Sequence, residues 1–170
     1  GKEILGIGGD GKGKGMAWRI DPETGQTLGG SEFRGYGHPE GKLSFQWRRD
    51  PTTLILSIVA RDREGAREVE VFRSEKPSAG HRLDPSPDSR WLAFSMLPMG
   101  LARPQSWFLK IIPTSGGAAQ DLMRFQEPIR LYWIGWTPDS KCVLYTQRSG
   151  DSDVMELFKI PIEGGQPQKL

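Results

Sequence analysis

The chain has a single cysteine, Cys142, among 170 residues, so no disulfide forms within it. It has two histidines, His38 and His81. A zinc site would need two further ligands at suitable spacing, and the sequence does not supply them. No apolar run approaches the roughly 20 residues of a membrane helix. The opening stretch GKEILGIGGDGK lacks a core of signal-peptide length. Its 23 basic and 21 acidic side chains leave a net charge of +2 and never form a block of like charge. That argues against nucleic acid as a partner, which calls for a clustered basic stripe. The densest basic stretch, Arg48 and Arg49 with Arg61, Arg63 and Arg67, reads as exposed strand edges and turns. A Gly-x-Ser-x-Gly nucleophile turn is also missing.

Turn formers and aromatic rings are plentiful. Glycine (22) and proline (13) are high together, which favours many short strands over a few long helices. Six tryptophans are a heavy load, and rings of that size need a packed core or a binding face.

An internal repeat organises the chain. SPDSRWLAFSM, from Ser86, matches TPDSKCVLYTQ, from Thr137, 51 residues on. Each copy leads to an apolar strand and a Gly-Gly turn, in LKIIPTSGGAAQDL and in FKIPIEGGQPQKL. In a third copy WRRDPTTLILS aligns Trp47 with Trp136 and Asp50 with Asp139, and EVFRSEKPSAGHRL stands in for the Gly-Gly strand pair. A fourth copy at the start is truncated, with GKEILGIG and MAWRIDPETGQTL as its strands. In each unit proline fixes φ at a turn and Asp or Ser bonds the backbone two residues on. Segments such as WLAFS and CVLYT read as buried strands. Four strands in roughly 40 to 50 residues is the period of a propeller blade.

Ser86-Pro87-Asp88-Ser89-Arg90 and Thr137-Pro138-Asp139-Ser140-Lys141, each with its Gly-Gly pair downstream, resemble TolB-type β-propeller repeats. The resemblance implies an all-β chain of four-stranded antiparallel blades, a protein or peptide ligand, and a periplasmic or extracytoplasmic setting. The usual glycine of the motif is replaced by Ser89 and Ser140, which leaves the turn type open. A β-sandwich would not need the recurrence, and a β-solenoid has a shorter coil. The expected domain is a single one over 1–170, with approximate units 1–30, 31–83, 84–122 and 123–170.

Candidate chemistry is sparse. GIGGDG fits a dinucleotide fingerprint, but KGKGMAWRID after it has no helical period, so a hairpin is expected. Gly8 to Lys14 fits a phosphate loop except that Gly15 stands where a magnesium-holding Ser or Thr belongs. Cys142 reads as a core residue. His81 and Asp84 lack a nucleophile to serve. Asp151 and Asp153 do not follow a calcium-loop pattern. Asp50, Asp88 and Asp139 recur once per unit and are read as structural turn residues. No cofactor, metal or catalytic residue is expected.

The aromatic cluster Tyr132, Trp133 and Trp136, with Trp47 in an earlier unit, is the candidate binding surface. Simple alternation would put Tyr132, Ile134 and Trp136 on one face and Leu131 and Trp133 on the other. The expected function is a non-catalytic module that binds a protein or peptide, as the sensing part of a larger bacterial receptor or regulator. The alternative is the accessory propeller of a prolyl-oligopeptidase-type serine peptidase. The sequence holds three units and most of a fourth. Open blade edges are therefore expected to make it a piece of a larger propeller, or half of one completed by self-association.

Overall fold

The computed structural model describes residues 4–9, 15–20, 24, 26–32, 42–62, 67–100, 105–149 and 154–170. All regular structure among them is antiparallel β, and no helix long and apolar enough to cross a membrane occurs. The chain divides into two compact units, Gly1–Gly35 and Tyr36–Leu170.

The first unit is a three-stranded sheet of β1 (Ile4–Gly9), β2 (Gly15–Ile20) and β3 (Thr27–Glu32), in that order. Gly6 to Gly9 lie in β1, which pairs antiparallel with β2 as far as Gly9 opposite Gly15. A dinucleotide fold would need a strand-to-helix crossover at this point.

The second unit is built from successive sets of antiparallel strands. β4 (Leu43–Arg49), β5 (Ile55–Asp62) and the first part of β6 (Glu68–Pro85) form one set of three. The second part of β6, β7 (Trp91–Pro98), β8 (Ser106–Pro113) and β9 (Gln120–Gln126) form a set of four. A separate sheet holds β10 (Arg130–Trp136), β11 (Cys142–Arg148), β12 (Glu156–Pro161) and the short β13 (Gln168–Lys169). These are four-stranded antiparallel propeller blades, with one three-stranded exception.

Hydrogen bonding moves the unit boundaries. β6 is continuous over 18 residues: Glu68 to Pro77 pair with β5, and Ser78 to Pro85 pair with β7. The sheet of Trp91–Pro98 thus begins near Ser78, not at residue 84, and residue 123 falls inside β9. EVFRSEKPSAGHRL does not replace a third and a fourth strand. It is a third strand that runs directly into the first strand of the next unit, and among the described residues the preceding unit has no fourth.

The turns explain the repeat. Ser86 N–H donates to the Trp91 carbonyl at 2.8 Å, and Thr137 N–H to the Cys142 carbonyl at 3.0 Å. The Ser86 and Thr137 hydroxyls accept from the Trp91 and Cys142 amides, at 3.0 and 3.1 Å. They also bond the carboxylates of Asp88 and Asp139, which accept from the Arg90 and Lys141 amides. Burial opposes ionisation of Asp88, but these bonds hold its carboxyl below the ordinary value. The Thr137 hydroxyl and the Lys141 amide do the same for Asp139. Ser89 and Ser140 take φ of 60° and 59°, so serine adopts the left-handed conformation that glycine usually fills. The downstream glycines also match: Gly116 and Gly164 have φ of 87° and 89°.

In the earlier unit the same five-residue span is closed by Asp50 N–H donating to the Ile55 carbonyl at 3.0 Å. Asp50 therefore stands at the position of Ser86 and Thr137, two residues from the place its alignment with Asp139 assigned. Its carboxylate accepts from the Thr52 and Thr53 amides at 2.9 and 2.7 Å, and Leu54 carries the positive φ, 58°. Trp47, paired with Ile58, then corresponds to Leu83 and Ile134, and Arg49 to Trp136. The shared Trp-x-x-Asp spelling conceals a register shift.

Two apolar layers hold the second unit together. Phe45, Ile58, Ala60 and Val71 meet Leu83, Leu92, Phe94, Met96 and Ile112 in one. Ala93, Leu109, Ile111 and Phe125 meet Leu131, Ile134, Val143, Tyr145 and Ile160 in the other. β7 feeds both layers from alternate residues, which is why WLAF reads as an unbroken apolar run. Cys142, expected in the core, is only half-buried at the start of β11.

The two serines of the motif differ in one respect. Ser140 is 4% exposed, and its hydroxyl accepts from the Asp88 amide of the neighbouring turn at 3.1 Å. The Ser89 side chain is exposed. Ser89→Gly is expected to stabilise the protein by about 0.5–1 kcal/mol through relief of the left-handed backbone. Ser140→Gly is expected to give no gain or a net loss, because the part-buried Asp88 amide would lose its acceptor, at a cost of about 1 kcal/mol or more. Urea unfolding of the two variants checks this, and equal stabilisation by both would contradict it.

Candidate interaction surface

The first strands of successive units, β4, the second part of β6, and β10, carry all four candidate rings and one half-buried acid, Asp84. In a propeller these strands lie nearest the central axis.

Trp47 is part of the packing. Its ring meets Phe94 edge-on, centroids 5.7 Å apart, and lies against the backbone of Gly80, where an added Cβ would fall 2.5 Å from the ring. Glycine is required at position 80 because no side chain fits beneath that indole. The Trp47 Nε1 has no hydrogen-bond partner among the described residues.

Trp136 packs against the second apolar layer, and its Nε1 donates to the Asp84 carbonyl at 3.0 Å. This bond ties β10 to β6. Tyr132 is half-buried. The Arg148 guanidinium sits 5.4 Å from its ring centroid, and the Tyr132 carbonyl accepts from Arg82 Nε at 2.7 Å.

Strict alternation along β10 fails. A β-bulge between Leu131 and Trp133 slips the register, so Leu131 and Ile134 both reach the core and Trp133 turns outward. A bulge re-aims the side chains that follow it. Trp133 is 45% exposed, and its ring lies across Gly135, where a Cβ would stand 2.4 Å from it. Of the four candidate rings, it alone presents a large apolar area to solvent.

Residues that sequence reasoning did not single out as part of this surface complete it. Arg82 and Arg148 flank Tyr132, and Gly80 and Gly135 make room for the two indoles. Nothing in local sequence marks them, since their roles depend on which strands become neighbours. His81 meets Trp107 edge-on at 5.5 Å, and burial, with Arg82 adjacent, lowers its pKa. No hydrogen bond joins it to Asp84. His38, Asp151 and Asp153 lie outside the described residues. Among the described residues no group of three or more His, Cys, Asp or Glu is placed to hold a metal.

Asp84 pairs across the sheet with Ala93, and so shares the face that packs on the last sheet. Burial raises its pKa from 3.8 to about 7. The folded chain thus keeps a proton that the unfolded chain releases above about pH 3.8. Stability is expected to fall as pH rises from there to about 7, by about 2–4 kcal/mol, and to level off above. Asp84→Asn is expected to flatten this slope and to raise the melting temperature at pH 8. An unchanged profile in the variant would show that another group sets it.

No family model and no curated protein matches this sequence. Solved structures do share its architecture. An acylaminoacyl peptidase from Pyrococcus horikoshii superposes with a TM-score of 0.57 at 12% identity, over 99% of this chain and 30% of that one. The β-propeller domain of the trilobed protease from Pyrococcus furiosus, described as having an open velcro topology, gives 0.52 at 12% identity, over 99% and 52%. A chain of a nidogen–laminin complex gives 0.54 at 12% identity, over 99% and 61%. At such identities the likeness establishes the fold, a β-propeller. The chain spans less than two thirds of the length of each of these structures.

Proposed function

We propose that this chain is a recognition module, a TolB-like β-propeller segment that binds a protein or peptide and performs no chemistry of its own. The observation that carries the reading is Trp133. Exposed apolar rings are enriched among binding hot spots, and this one is held flat by Gly135 on a strand expected to line the central channel. Arg82, Arg148 and the Tyr132 ring beside it add cationic and aromatic groups suited to an extended peptide. The recurrence of Asp50, Asp88 and Asp139 at turns, each bonding backbone amides, supports structural roles for the acids the sequence repeats.

A second reading is favoured by the neighbours whose descriptions name peptidases, including the acylaminoacyl peptidase and the trilobed protease. In it the chain is the accessory propeller of a prolyl-oligopeptidase-type enzyme and guides peptide substrates. The two readings share the peptide ligand and differ in what the gene encodes beyond this segment. An α/β domain with a Gly-x-Ser-x-Gly turn would favour the second, and a sensor or membrane domain the first.

Screening the purified chain against an immobilised peptide library tests the shared part. Trp133→Ala is expected to lower the affinity of retained peptides about tenfold or more and to leave the melting temperature unchanged. Retention unaffected by this change would remove Trp133 from the binding surface.

A further inference from the structure

Among the described residues the unit built from β4, β5 and the start of β6 has three strands, and this leaves both an edge and a cavity. Glu68 to Arg73 pair with β5 on one side, and no described strand pairs with them on the other. Beside that edge is a cavity of about 770 Å³, walled by Glu70 to Lys76 and, from the next sheet, by Met96, Phe108, Lys110 and Ala118. This is within the range of about 300–1,000 Å³ typical of ligand clefts.

We infer that the outer edge of Glu68–Arg73 is a docking site for an extended, net-neutral peptide segment of a partner protein, which adds the missing fourth strand. Strand addition to an open edge draws affinity from main-chain hydrogen bonds and specificity from pockets for alternate side chains. The site lies apart from Trp133 and does not rest on the function proposed for that residue.

Three observations define the occupant. First, the molecule shows what a fourth strand looks like. β9 pairs along β8 and buries Phe125, with Leu122 and Met123 half-buried, while Gln120, Asp121 and Arg124 face outward. Second, Phe72, Met96 and Phe108 line the cavity, so alternate residues of an added strand meet apolar surface. Third, the charged side chains at the edge are already paired within the chain and leave only a small positive excess. Glu68 is paired with Arg48 and Arg61, Glu70 with Arg73 and Ser57, and Lys110 with Asp121. Glu75 and Lys76 add one charge of each sign. Such an edge discriminates against strongly acidic or basic segments and accepts a neutral one with apolar residues at every second position.

The test uses the purified chain and a synthetic peptide with the sequence of β9, QDLMRFQ, read by amide hydrogen exchange. Exchange at Glu68–Arg73 is expected to slow about tenfold at saturating peptide. Two further peptides carry N-methyl groups on one or the other alternate set of residues. One set is expected to abolish the protection and the other to spare it, because only alternate amides of an added strand face the edge. Ala118→Trp, at an exposed rim position, is expected to weaken binding at least tenfold. Absence of protection, protection at another segment, or equal tolerance of both N-methylated peptides would overturn the inference. So would protection of the same amides that rises with protein concentration alone, since a second copy would then be the occupant.

Discussion

Burial of the central sheet on both faces is the constraint on which the second unit depends. β7 sends Leu92, Phe94 and Met96 to one apolar layer and Ala93 to the other. Neither layer can form unless a neighbouring sheet is present to cover it. A single blade of this size cannot bury enough apolar surface by itself, and stacking against neighbours supplies the rest. The inner strands add directional links to this non-directional packing. The Trp136 indole on the Asp84 carbonyl, Arg82 on the Tyr132 carbonyl and the Ser140 hydroxyl on the Asp88 amide all cross between the last two sheets.

The parts of the fold set by local chemistry were legible in the sequence. Ser/Thr-Pro-Asp-Ser marks a turn whose bonds close within five residues, and the turn keeps its left-handed position with serine in place of glycine. Features set by neighbours were not. The Trp47 alignment is two residues off because Asp50 occupies the backbone position of Ser86, while its carboxylate bonds the amide two residues on, as those of Asp88 and Asp139 do. Serine and aspartate are both short oxygen acceptors, and sequence alone does not tell their turn positions apart. The missing fourth strand was hidden because SEKPSAG reads as a turn while the chain stays extended through it.

The candidate surface was legible as a set of residues but not as an arrangement. Alternation along β10 is a sound rule for a regular strand, and the bulge at Tyr132 breaks it. That single extra residue separates Trp133, open to solvent, from Leu131, which joins Ile134 in the core. The raised pKa of Asp84 was equally invisible, because it comes from the sheet that packs over it.

The continuous β6 bears on how such an array is inherited. Propeller chains are built from repeated units, and a unit can be duplicated or exchanged as a block when its ends fall in loops. The joint at Glu127–Pro128, between β9 and β10, is of that kind. The joint near Pro77–Ser78 is not, since one strand hydrogen-bonds to both units and any cut there removes an edge from each. The units on either side of β6 are therefore joined through a shared strand, whereas the junction ahead of Arg130 could be cut without removing an edge from either neighbour.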